Sequence, residues 1–179
     1  TVEHLLAVLY GIGINNLFIE IDGPEVPIMD GSGASFIFLI KETGVATLNK
    51  SKNFLVVTKP VQVQVDDKWA MIEPNPKLVI DSTIVFAHPV IKKQNRAFEF
   101  NCEDFIHEIG RARTFGLLRD VDYLKQKGLI KGGSLDNAIV LDDFKVMNPE
   151  GLRFQDEFIR HKILDTIGDI SLLGHEIIG

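Results

Sequence analysis

The amino-acid sequence predicts an α+β fold. Helical apolar patterns stand near both ends, strand runs joined by tight turns fill the middle, and helices follow those strands without alternating with them. A strand–helix alternation would mean a doubly wound parallel sheet, whereas hairpin runs followed by helices mean layers.

Thr1 stands where an N-cap belongs. Leu5, Leu6, Val8, Leu9 and Ile12 then give a helical apolar face that runs out near Gly11 and Gly13. Leu17 to Asp22 alternates as a strand and Gly23-Pro24 turns it, and the loop Met29 to Gly33 leads into a second helix, about Ala34 to Glu42. Gly44 to Asn53 is small and polar, a linker composition. Phe54 to Val65 alternates, Asp66-Asp67 is a turn, and Lys68 to Glu73 pairs back as a hairpin. Leu78 to Phe86 and Arg96 to Phe100 are further strands, and Cys102 to Arg111 is a helix with Phe105, Ile106 and Ile109 inward. A short helix from Asp120 to Lys127, a turn at Gly132-Gly133, the strand Ala138 to Leu141 and a long helix from about Arg153 to Leu173 complete the order.

Composition narrows the function classes. Lys plus Arg is 19 against 25 for Asp plus Glu, a formal charge of −6, which argues against a general nucleic-acid binder. With 45% hydrophobic and 25% charged residues, the 179-residue chain is neither disordered nor a disulfide scaffold. Cys102 is the only cysteine, which excludes an internal disulfide and favours a reducing, cytoplasmic setting. No apolar run approaches the roughly 20 residues needed to span a bilayer. The start Thr1-Val-Glu-His4 has no basic stretch before an apolar run, so no export signal is expected. The lack of an initiating Met sets the expectation of a fragment of something longer.

The last helix carries the sharpest chemical signal. His161 and Asp165 fall one turn apart on one face, with Phe154 and Phe158 on the same stripe, and Ile159, Ile163, Ile167 and Ile170 form a second apolar stripe. A helix apolar on two sides is buried between layers, where a lone carboxylate needs a cation. By itself His-x-x-x-Asp is more often a hydrogen-bonded core pair than a metal site. His4 supplies a third donor, and two histidines with one carboxylate are a common catalytic zinc set. A histidine in a first helical turn is commonly a cap or a core residue, but Glu3 beside it has the chemistry to deprotonate a water at a metal. Thr114, in Arg111-Ala-Arg-Thr-Phe-Gly116, has a hydroxyl suited to an oxyanion; the same segment also reads as a solvent-facing helix end whose arginines complement the macrodipole. Asp30-Gly31-Ser32 lacks the acidic ligands of a calcium loop, and His88 and His175 read as surface-loop histidines.

Thr1-Val-Glu-His4, Pro27-Ile-Met-Asp-Gly31, Arg111-Ala-Arg-Thr-Phe-Gly116 and Arg160-His-Lys-x-x-Asp165, in this order, resemble the UDP-3-O-acyl-N-acetylglucosamine deacetylases, zinc amidases of the committed step of lipid A biosynthesis. The resemblance covers the whole chain. It implies His4, His161 and Asp165 as ligands of zinc (Zn2+), with Fe2+ suiting the same set. It further implies Glu3 as general base, Thr114 as oxyanion donor, Lys162 beside the substrate carbonyl and diphosphate, and Asp169 as the carboxylate orienting a catalytic histidine. Phe86 corresponds to an aromatic that stacks on uracil, and residues 117–141 to an insert forming an acyl passage lined by Leu118, Val121, Ile130, Ser134, Leu135 and Val140.

The implied fold is a two-domain layered sandwich, each domain a sheet with two helices, and the helices packed between the sheets. Residues 1–46 would end the first domain, 47–53 link, and 54–179 make most of the second, leaving both sheets incomplete. The implied partner is a small-molecule UDP-acyl-glucosamine, with no nucleic acid, no membrane span and a monomeric intact protein. The histidine that serves the family as general acid is expected beyond Gly179, so these residues alone are expected to turn over poorly. The alternative reading is a truncated, non-catalytic substrate- or metal-binding module of the same family. An unrelated zinc hydrolase would have to match the other three motifs by chance.

Overall fold

The computed structural model describes residues 1–119 and 133–179 and has the expected mixture of helices and strands. Two helices, α1 (Val2–Gly11) and α2 (Ala34–Thr43), precede the strands β1 (Phe54–Val56), β2 (Val61–Val65), β3 (Lys68–Ile72), β4 (Val79–Val85) and β5 (Lys93–Glu99). A short helix α3 (Cys102–Asp104) runs directly into a π-helical turn (Phe105–Ile109), followed by β6 (Phe115–Leu117), β7 (Ile139–Leu141), the long helix α4 (Glu157–Ser171) and β8 (Glu176–Ile178). Among the described residues the strands form two-stranded ladders: β1–β8 and β6–β7 parallel, β2–β3 and β4–β5 antiparallel. The expected hairpin at Asp66-Asp67 is present, pairing Val65 with Lys68, and Asp66 takes the positive φ of 55° that such a tight turn requires.

Helix α4 organises the core. Ile163, Leu164 and Ile167 pack with Ala7, Val8 and Tyr10 of α1, Ile37 of α2, Ile80 and Phe98 of the β4–β5 hairpin, and Phe105 and Ile109 of the π turn. At its N-terminal end Phe158 joins a second cluster with Ile91, Ile139 and Leu141. The two apolar stripes expected on this helix therefore face different clusters.

Several sequence expectations are corrected. Leu17 to Asp22 alternates but forms no strand; Phe18 is fully exposed, and a strand exists only by pairing with another. Phe54 to Val65 is two strands, because the chain leaves the β8 ladder after Val56 and Pro60 has no N–H for a ladder. The last helix starts at Glu157 and not Arg153, since the Glu157 carboxylate accepts the Arg153 backbone N–H and closes a turn ahead of the helix. Thr1 does not cap α1: its hydroxyl donates to the Val26 carbonyl at 2.6 Å. Asn101 does cap, accepting the Asp104 N–H at 2.8 Å. The expected helix Asp120 to Lys127 lies outside the described residues, as does part of the Gly132-Gly133 turn.

One buried side chain secures the segment leading into β7. Asn148 donates to the Leu135 and Ala138 carbonyls, each at 2.9 Å, and its oxygen accepts the Val140 N–H at 2.9 Å. Asn148→Leu leaves backbone groups of this segment without partners, at about 1–3 kcal/mol for each one kept from water. The expected result in thermal or urea unfolding is a loss of about 3 kcal/mol; a loss below about 0.5 kcal/mol would show that the clamp is not needed.

Candidate metal centre

The geometry starts from the contact between α1 and α4. His4 on α1 meets His161 and Asp165, one turn apart on α4. The two imidazoles pack edge to face with ring centres 4.8 Å apart. The Asp165 Oδ1 lies 3.3 Å from His161 Nε2 and 3.6 Å from His4 Nε2. One donor atom from each of the three residues lies within 4.8 Å of the other two, close enough for all three to ligate one ion. Both histidines are buried and Asp165 is mostly covered.

Hydrogen bonding defines what these atoms offer. His161 Nδ1 lies 3.0 Å from the Ala112 carbonyl, which can only accept, so the ring proton sits on Nδ1. The other ring nitrogen, Nε2, faces Asp165 Oδ1 at 3.3 Å. Burial, followed by the neighbouring His161, pushes the His4 imidazole down to about 4, which keeps it neutral near pH 7. Burial would raise the Asp165 carboxyl, but His161 and Lys162 hold it well below the usual carboxylate range. Lys162 Nζ donates to Asp165 Oδ2 at 2.9 Å, whereas Oδ1 is buried with no hydrogen-bond partner and so is His4 Nδ1. Two imidazoles around a buried anionic oxygen form a donor set that fits a cation such as zinc.

The remaining sequence candidates take definite places. Glu3 precedes His4 on α1, with a partly exposed side chain. Thr114 is held by its backbone: its N–H donates to Gly31 at 2.8 Å and its carbonyl accepts the Ile139 N–H at 2.7 Å. Its hydroxyl bonds no described residue. Lys162 lies over the Phe115 ring, 5.6 Å from its centre, and that ring packs edge-on against Phe86 and Phe158. Phe86 is thus linked through one aromatic neighbour to the lysine at the site. Asp169 is exposed and accepts no hydrogen bond from a described histidine; partial burial, with Asp165 and Glu3 nearby, pushes its carboxyl upward. Leu118, Ser134 and Leu135 are exposed and Val140 is half-buried, while Val121 and Ile130 lie outside the described residues.

Sequence reasoning missed three features. Arg113, read as part of a solvent-facing helix end, is buried against Glu157, with Arg113 Nε 3.0 Å from Glu157 Oε1. Gly168 permits α1 to lie against α4: a Cβ there would be 2.8 Å from the Glu3 carbonyl carbon. A glycine inside a strong helical pattern was the available signal. Asp30, in the motif Pro27 to Gly31, is tied to Arg153 and Ser32, each at 2.9 Å, and Arg153 also donates to the Arg111 carbonyl. That motif braces the loop whose Gly31 carbonyl holds Thr114.

A family model described as UDP-3-O-acyl N-acetylglycosamine deacetylase matches residues 1–179. Among curated relatives, the UDP-3-O-acyl-N-acetylglucosamine deacetylase of Citrifermentans bemidjiense is 55% identical over 179 residues. Those of Histophilus somni and Vibrio vulnificus are each 50% identical over 181 residues. Each alignment takes in all of this chain, which spans 59% of the length of these relatives.

Proposed function

We propose, for a chain that belongs to the UDP-3-O-acyl N-acetylglycosamine deacetylase family, that it carries the metal centre and reacting groups of a zinc-dependent amide hydrolase. The reaction is hydrolysis of the acetamide of a UDP-3-O-acyl-N-acetylglucosamine to the free amine and acetate, in lipid A biosynthesis. The observation that carries the reading is the convergence of His4, His161 and Asp165 with the Asp165 Oδ1 left unpartnered. The metal, when bound, supplies Lewis acidity toward the amide carbonyl. Iron is the alternative ion for the same ligands.

The chain's own residues supply the general base and the contacts to substrate and oxyanion, while the proton for the leaving amine falls to a further acid. Glu3, adjacent to His4 and open enough to meet solvent, takes a proton from the attacking water. Thr114 offers its free hydroxyl to the oxygen that becomes negative as the carbonyl is attacked. Lys162, paired to Asp165 yet partly exposed, contributes positive charge on the same side. Phe86 stacks on the uracil of the substrate. Leu118, Ser134, Leu135 and Val140 lie on the segments that border the acyl chain. The reaction is placed in the cytoplasm, in keeping with the single cysteine.

The test is acetate release from the UDP-linked substrate by the intact protein, with metal content measured in parallel. Glu3→Gln is expected to retain one zinc per chain and to lose at least about 100-fold in turnover, the scale of a general base. Turnover within a few-fold of the parent would remove Glu3 from that role. Absence of both zinc and acetate release in the parent would overturn the proposed function.

A further inference from the structure

We propose that the buried Arg113–Glu157 ion pair is a positioning device for the metal centre, setting the backbone that orients His161; the inference rests on the metal-site reading above. Arg113 and Glu157 are 3% and 0% exposed, so this is a charge pair inside the protein. Its geometry is saturated. Glu157 Oε1 accepts from Arg113 N and Nε, both at 3.0 Å, and Oε2 accepts from Arg153 N at 2.6 Å and from Arg113 Nη2 at 3.3 Å. Two further guanidinium hydrogens go to the Gly151 carbonyl at 2.7 Å and to Glu150 Oε1 at 2.6 Å. Burial would lower the Arg113 pKa, but Glu157 and Glu150 raise it further than burial lowers it, so the guanidinium stays charged.

The placement of this pair gives it a role at the site. Glu157, His161 and Asp165 follow one another at intervals of four residues on α4, and so share a face. Opposite them runs the segment Ala112–Thr114. Arg113 binds Glu157, the preceding Ala112 carbonyl accepts the His161 Nδ1–H, and the following Thr114 carries the free hydroxyl. Two ties, one turn apart on α4 and one residue apart on the facing segment, fix both the distance and the rotation of that segment. Thr114 is tied to Gly31 and Ile139 and the Arg111 carbonyl to Arg153, whereas Arg113 ties the segment directly to α4 beside the Ala112–His161 bond.

Stability alone is a poor reason for such a pair, since well-packed apolar residues of similar volume are often as stabilising as a buried ion pair. A bidentate, fully bonded pair instead specifies geometry. A carbonyl held on the distal nitrogen of a ligand histidine fixes the tautomer and ring orientation, and loss of such a partner typically weakens metal binding by about 10–100-fold.

The experiment uses the intact protein and three variants: Arg113→Lys, Glu157→Gln, and the double variant Arg113→Met/Glu157→Gln. The double variant removes both buried charges and keeps an amide oxygen for one of the two backbone N–H groups, so it tests positioning without an unpaired charge. Zinc affinity is read by competition with a chromophoric chelator, and the His161 tautomer by ring 15N shifts of the metal-free protein. Melting curves establish that each variant is folded. The parent should show one zinc site and the Nδ1–H tautomer. Folded variants should bind zinc about 10–100-fold more weakly and show a mixed tautomer. A folded variant with parental zinc affinity and tautomer overturns the inference and leaves the metal centre standing. A parent that binds no zinc overturns both.

Discussion

Asp165→Asn is expected to abolish tight zinc binding while leaving the metal-free protein within about 1 kcal/mol of its parent in stability. Asp165 Oδ2 pairs with Lys162, but that lysine is partly exposed, and such pairs contribute little. Oδ1 is buried without a hydrogen-bond partner, 3.3 Å from His161 Nε2. An amide gives up the attraction of His161 and Lys162 that holds the carboxyl low but regains part of it through lower desolvation, so the metal-free fold loses only modestly. With a cation bound the balance reverses, because the carboxylate is the only anion of the ligand set.

The measurement is thermal or urea unfolding with and without zinc. A ligand present at a thousand times its dissociation constant stabilises the native state by about 4 kcal/mol. The parent should gain stability on that scale and Asp165→Asn should gain almost none. If the metal-free variant were instead destabilised by several kcal/mol, Asp165 would be a structural member of a polar core pair, the commoner use of His-x-x-x-Asp on a buried helix.

The candidate ligand set was partly legible in the sequence. His161 and Asp165 were legible because helical spacing puts them on one face, while His4 and Glu3 entered by residue type, as a third donor with a carboxylate beside it. The hairpin at Asp66-Asp67 was legible from turn chemistry alone. Pairing between distant segments was not. The alternation from Leu17 to Asp22 carries no record of the partner it lacks, and the parallel ladder of β1 with β8 joins residues more than a hundred positions apart. Arg113 was misplaced for the same reason, since its burial depends on a carboxylate 44 residues away. Local pattern describes an element; the environment of one residue depends on what packs across from it.

Gly168 shows this most sharply, and Gly168→Ala is expected to damage the site. In an isolated helix alanine is preferred over glycine by about 1 kcal/mol, so local propensity favours the change. In the folded chain the new Cβ would lie 2.8 Å from the Glu3 carbonyl carbon and 2.9 Å from its Cα, where no side-chain rotation gives relief. The helices must separate or slide. Glu3 and His4 sit on the displaced side, while His161 and Asp165 sit on the other, so relief of the overlap opens the ligand set. Overpacking of this kind costs about 1–3 kcal/mol of stability, offset in part by the helical preference. The functional loss should be larger than that stability change suggests, because catalytic and ligand geometry tolerates displacements of only about 0.5 Å. The expected result is a folded protein with a modestly lowered melting temperature, zinc affinity reduced at least about tenfold, and deacetylation reduced by about 100-fold or more. Gly23→Ala, at an exposed turn with open space around a Cβ, is the matched control and should change none of these. Parental zinc affinity and turnover in a folded Gly168→Ala protein would show that the α1–α4 approach does not set the site.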